Sequence, residues 1–154
     1  MRLKKLKSVT AVALTALTVL SGSYAYAAAN TIKINGTVAE IPADMGKISE
    51  KDGRTFVPVR FVSEHLQNKV WYDPEVKSAC VASASSFIYI PNGNTTLFIV
   101  SLDTNEVTQV AMDTSAYIDP EDNRTYLPIR FLAEALGFTV GWDEETQTVT
   151  LDKN

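Results

Sequence analysis

The stretch from Arg54 to Glu64, Arg-Thr-Phe-Val-Pro-Val-Arg-Phe-Val-Ser-Glu, returns seventy positions later between Arg124 and Glu134 as Arg-Thr-Tyr-Leu-Pro-Ile-Arg-Phe-Leu-Ala-Glu. Over 54–73 against 124–143, nine of twenty residues are identical, and changes such as Phe56/Tyr126, Val57/Leu127 and Val59/Ile129 keep chemical type. One supersecondary unit is used twice, over 54–82 and 124–152, and a repeat of this kind is an architectural signature before it is a chemical one. Any function must be compatible with two similar units and few reactive side chains.

The segment before the first copy divides in two. Residues 1–27 read as a secretory signal peptide: Arg2, Lys4, Lys5 and Lys7 make a basic start, Val9 to Leu20 is uncharged and apolar, and Ala25-Tyr26-Ala27 is a small-x-small cleavage site. The apolar run is short for a membrane span of roughly 20 residues. The expected mature chain is 28–154, with no membrane span after signal removal. There ten Lys+Arg face eighteen Asp+Glu, a net charge of −8. That balance argues against nucleic acid and anionic membrane as partners. Cys80 is the one cysteine, so no intramolecular disulfide is possible and packing must supply the stability. An exported chain without disulfides points to a bacterial source.

The pattern along 28–154 is that of an α+β protein with antiparallel sheet packed on two short helices, a strand-helix-strand-strand unit being duplicated. Thr31–Ile34 and Thr37–Glu40 flank Asn35-Gly36, a two-residue hairpin signal. Residues 41–53 read as loop. In each copy a short strand runs into a proline, Pro58 or Pro128, suited to the first position of a helix. Val59, Val62 and Leu66 fall at helical spacing, as do Ile129, Leu132, Ala133 and Leu136. Gly137 stops the second helix, and Gln67 stands in its place after the first. Strand pairs follow at 70–72 with 79–82 and at 140–142 with 148–151. The middle, 87–118, is strand-rich. The short connections leave no room for parallel crossovers.

The repeat resembles the family named for the N-terminal, or stalk, domain of copper amine oxidases. The likeness rests on Arg-Thr-hydrophobic-x-Pro, the following Arg and Glu, Leu-Gly, and Val-x-Trp-Asp before a turn and Thr-Val-Thr. Residues 123–151 follow that almost throughout. Residues 52–81 follow it less tightly, with Gln67 for glycine and Tyr72 for tryptophan. The resemblance covers roughly 31–154. It implies a small α+β module found on secreted and cell-surface proteins, mainly of Gram-positive bacteria. It implies no copper chemistry, since the stalk domain is not where the oxidase reaction occurs.

The residues support the same view. A copper or zinc site needs several imidazole or thiolate ligands, and after the leader there is only His65, on the first helix where the second copy has Ala135. A serine triad would have to use His65, and no Gly-x-Ser-x-Gly elbow is present. Asp119, Glu121 and Asp122 form one acidic cluster and Asp143, Glu144 and Glu145 another. Both sit at turns, and neither fits an EF-hand loop. No catalytic, metal-binding or cofactor-binding residue is therefore assigned, and the chain reads as a non-enzyme.

The recurring residues Arg54, Pro58, Arg60, Glu64 and Asp73 in the first copy, and Arg124, Pro128, Arg130, Glu134, Gly137, Trp142 and Asp143 in the second, are taken as structural. Arg54 is expected to reach Asp73 and Arg124 to reach Asp143, while Arg60–Glu64 and Arg130–Glu134 are four apart on helices. Alternation in 148–151 places Cys80 on the less buried face of its strand, the competing reading being burial under the middle hairpin. Tyr72 and Trp142 are expected in the core or at its edge. Trp71 stands where the second copy has Gly141, points to the opposite face, and is the aromatic expected at the surface. The expected role is structural spacing, protein–protein contact or wall association at the cell envelope. The alternative is a carbohydrate-binding module using Trp71 against a cell-wall glycan.

Overall fold

The structure, a computed structural model, describes residues 29–153. The leader expected at 1–27 lies outside the described residues. Thirteen strands and two helices form an α+β fold. β1 (Thr31–Ile34) and β2 (Thr37–Val38) close around Asn35 and Gly36, whose φ values of 49° and 79° are the paired left-handed conformations of a tight hairpin turn. A single 3-10 turn at Ala43–Met45 precedes β3 (Ser49–Lys51) and β4 (Arg54–Pro58). β3 lies within the segment expected to be loop. Ser-Glu-Lys carries no apolar alternation, and the strand is there because Asp52 and Gly53, at φ 53° and 67°, fold it back on β4.

The first copy continues through α1 (Val59–His65), β5 (Lys69–Asp73) and β6 (Ser78–Ala82). β7 (Ser86–Pro91), β8 (Thr96–Ser101) and β9 (Val107–Ala111) form the middle, followed by the short β10 (Tyr117–Ile118). β11 (Thr125–Pro128), α2 (Ile129–Ala135), β12 (Phe138–Asp143) and β13 (Thr148–Lys153) make the second copy. Pro58 and Pro128 sit one residue earlier than expected. Each is an extended N-cap, ending a strand before its helix begins.

Three sheets result, ordered β12-β13-β1-β2, β10-β11-β4-β3 and β5-β6-β7-β8-β9. The second holds the key to the repeat. β4 and β11 run antiparallel with Val57 opposite Leu127, Phe56 opposite Pro128 and Pro58 opposite Tyr126. Val57 and Leu127 are the same position of the two copies, seventy apart, as are Phe56 and Tyr126, and Pro58 and Pro128. The ladder therefore turns onto itself about a pseudo-twofold axis through the Val57–Leu127 pair. β3 and β10 flank it on opposite sides, and α1 meets α2 across it.

One core serves both copies. Val57, Phe61 and Val62 share a cluster with Leu127, Leu132 and Leu151. The symmetry breaks at the outer strands: β6 is extended by the antiparallel β7, whereas β13 is extended by β1, which runs parallel to it from Thr31 opposite Thr148 to Ile34 opposite Leu151. The expectation that no parallel pair could form fails here. A parallel pair needs a long connection, and the connection between β1 and β13 is nearly the whole described chain.

Candidate functional site

The recurring charged residues are placed by the fold, but not as expected. Arg54 reaches Asp113, its Nε and Nη2 donating to Oδ2 at 2.7 and 2.5 Å, and its Nη1 donates to the Gly53 carbonyl at 3.2 Å. Arg124 donates to the backbone carbonyls of Asp122 and Asp44 and lies 3.6 Å from the Asp122 carboxylate. Neither arginine meets the aspartate expected for it. Asp73 accepts from the amides of Glu75 and Val76, and Asp143 from those of Glu145 and Thr146. Each closes its own turn, because a short carboxylate finds amides two and three residues on before it can reach another strand. The Thr146 amide and hydroxyl, then the Glu145 amide, hold the Asp143 carboxyl below its ordinary range. Arg60 and Glu64 are both exposed and form no ion pair with each other. Glu134 is exposed on α2, while Arg130 is half-buried beside Trp142 in one cleft.

Cys80 is buried, contrary to the alternation argument. Register explains it: Trp71, Cys80, Tyr89 and Phe98 stand in one row across β5, β6, β7 and β8. The thiol lies between larger rings on the outer face of a wide sheet, and burial, then the charge of Asp73, pushes its pKa up. In the second copy that position is Thr150, on a sheet without the hairpin.

This outer face is aromatic. Trp71 is 40% exposed and Tyr89 36%, with Phe87 between them at centroid distances of 5.2 and 4.5 Å. The planes are tilted by 53° and 63°, so the rings pack edge against face rather than forming a flat strip. Beyond them Val76 and Val107 are exposed, and a shallow groove of about 410 Å³ runs over Tyr89, Pro91 and Phe98. The expected exposure of Trp71 is thus found, along with neighbours that no repeat or motif had marked. Their signal was present in the alternation Phe87-x-Tyr89 and Phe98-x-Val100. Trp142 packs partly against the core, but Tyr72 is 40% exposed. That corrects its expected place: β5 is the edge of its sheet, and the tyrosine faces an open cleft.

That cleft has a twin. Pro58, Val59, Arg60, Val70, Tyr72 and Ala79 of the first copy line it together with Arg124 and Thr125 of the second. About the pseudo-twofold axis, Pro128, Ile129, Arg130, Val140, Trp142 and Val149 line the other, together with Arg54 and Thr55. Each copy thus lends an arginine at the start of its β-strand, Arg54 within β4 and Arg124 just before β11, to the helix–strand cleft of its partner copy. Trp71 stands at the rim of the first cleft, where the second has Gly141.

His65 is exposed on α1, its Nδ1 3.3 Å from the Phe61 carbonyl and its ring 4.3 Å from that of Phe61. Among the described residues no group of three His, Cys, Asp or Glu side chains is arranged to hold a metal ion, and none of the helices is long and apolar enough to cross a membrane. Residues 33–151 match the family model described as the copper amine oxidase N-terminal domain. No curated protein and no solved structure gives a significant match.

Proposed function

The chain belongs to the copper amine oxidase N-terminal domain family, a non-catalytic domain family, and on that footing we propose that it is an exported module of the bacterial cell envelope that works by protein–protein contact. The observation that carries this reading is the outer face of the β5–β9 sheet. Exposed apolar surface grouped around Trp71, Tyr89 and Val107 costs solvation free energy unless a partner covers it. Aromatic residues of this kind commonly anchor protein interfaces. The basic start, short apolar run and Ala25-Tyr26-Ala27 support export, with the mature chain beginning at Ala28. N-terminal sequencing of secreted protein checks that step, and an intact Met1 would rule it out.

A second reading, binding to cell-wall glycan, is favoured by the exposed ring of Trp71 at the edge of the sheet. The tilt between neighbouring rings weighs against it, since a polysaccharide chain stacks best on faces that share a plane. A photo-crosslinker at position 89, used on intact envelopes, separates the two. Protein adducts that disappear with Trp71→Ala support the proposal. Co-sedimentation with purified peptidoglycan or wall polysaccharide that depends on Trp71, without protein adducts, would replace it with the glycan reading.

A further inference from the structure

The twin clefts differ in one respect that the symmetry makes informative. Both contain an arginine from the opposite copy and an arginine from the first turn of the helix. The cleft of the second copy also contains a carboxylate. The segment after β9 brings Asp113 to Arg54, while Met112 is buried on one side and Thr114 donates to the Asp52 carboxylate at 3.1 Å on the other. That cleft is nearly filled, with about 50 Å³ left.

The cleft of the first copy holds about 220 Å³ and is lined by Arg60 and Arg124 without any acidic side chain. Here the segment before β3 offers Arg124 only the backbone carbonyl of Asp44, and the carboxylate of Asp122 stands at 3.6 Å. Among the described residues, Nε of Arg124, whose counterpart in Arg54 binds Asp113, makes no hydrogen bond. Arg60 has no ion pair among the described residues. Ala79 in place of Val149 and Tyr72 in place of Trp142 make the walls smaller, and Trp71 adds a ring at the rim.

We propose that the Arg60–Arg124 cleft is a recognition site for an acidic peptide segment of a partner protein, which presents an aspartate to these arginines as Met112-Asp113-Thr114 presents Asp113 to Arg54. Charge complementarity defines the site: no acidic side chain lines the cleft, Arg60 forms no ion pair among the described residues, and Arg124 has only the 3.6 Å pairing with Asp122 behind it, on an otherwise acidic protein. The peptide character of the occupant follows from the twin, where a main-chain segment delivers the carboxylate. Charge-assisted bonds from a guanidinium to a carboxylate are the strong class of hydrogen bond, and Tyr72 gives the apolar part of the segment a surface to lie on. The site uses the Tyr72 side of β5, and so is separable from the outer face argued above.

The test uses the folded protein and a synthetic probe, the blocked hexapeptide N-acetyl-Val-Ala-Met-Asp-Thr-Ser-amide, which copies 110–115. Titration is followed by amide NMR. Expected are shifts at Tyr72, Asn123 and Thr125, and binding weaker by about tenfold or more when the peptide carries Asn for Asp. The exposed Arg60→Gln should cause a comparable loss with an unchanged dispersed spectrum. Equal binding of the Asp and Asn peptides, shifts confined to the neighbourhood of Arg54, or no shifts at millimolar peptide would each overturn the proposal. So would N-acetylmuramic acid or galacturonate binding the cleft as tightly as the peptide, which would make it a site for acidic sugars. Loss of crosslinking at position 89 would leave this result untouched.

Discussion

Ser63 carries the one buried side-chain oxygen among the described residues that finds no hydrogen-bond partner. It lies on the inner side of α1, where the second copy has Ala133. A buried hydroxyl without a partner costs about 1–3 kcal/mol. Ser63→Ala is therefore expected to stabilise the protein by about 1 kcal/mol in urea denaturation; a loss of stability would mean the hydroxyl has a partner in solution. Tyr126 shows the opposite situation, a buried hydroxyl well supplied. It donates to Asp122 Oδ2 at 2.7 Å, accepts from the Lys47 amide at 3.2 Å and stacks on Tyr117 at 5.5 Å. Burial first, and the Asp122 hydrogen bond second, push its pKa up to about 12 from 10.0. The folded state therefore holds this proton more tightly than the unfolded chain does. The stability it confers is fully present below pH 10 and is lost as pH rises from 10 toward 12. Absorbance titration of phenolate should show a late-ionising phenol that coincides with alkaline unfolding; the absence of any such late step in the folded protein would contradict this. At this scale the sequence was a partial guide. Exposure of Trp71 could be read from its register against Gly141. Asp113 as the partner of Arg54 and the Asp44 carbonyl as a partner of Arg124 could not, because they lie far along the chain and outside the repeat; only Asp122, beside Arg124, is local.

Among the elements, the two helices are close copies that end differently. Gly137 follows α2 with φ 81°, and Gln67 follows α1 with φ 60°, the same left-handed turn without glycine's freedom. The side chain makes that conformation cost about 1–2 kcal/mol, offset in part by the greater unfolded-state entropy of glycine. Gln67→Gly is expected to raise stability by about 0.5–1 kcal/mol, measured as a higher denaturant midpoint at unchanged slope. A destabilised variant would show that the glutamine side chain has its own role. Both helices and most strands were legible because their periodicities are local. β3 was not, since three polar residues carry no pattern and only their pairing with β4 makes them a strand. The expected helix starts missed by one residue because Pro58 and Pro128 still pair in the β4–β11 ladder before their helices begin.

For the whole molecule, the repeat announced two units but not how they join. Val57 facing Leu127 makes them one body, since each copy completes the central sheet and the cleft of the other. Neither should unfold alone. Trp71 belongs to one copy and Trp142 to the other, and they are the only tryptophans. Fluorescence of Trp71→Phe and Trp142→Phe, each reporting on the remaining ring, should give transitions that coincide with circular dichroism in the same protein, as a single cooperative unit requires. A transition seen by one tryptophan but not by the backbone signal would mean that the halves separate. The pairing was hidden because it depends on contacts seventy residues apart, a distance at which no local pattern speaks.

The parallel strand β1 carries a consequence in time. Its partner β13 is synthesised more than a hundred residues later, and only the two-residue β2 is available to it before then. A chain emerging from the ribosome therefore carries Ile32 and Ile34 without their final neighbours until almost the last strand appears. Loop closure over such a span is slow relative to local hairpins. The central pairing of the copies can form first, and joining β1 to β13 becomes the closing event of folding, which leaves the nascent chain open to chaperones and proteases until it is done.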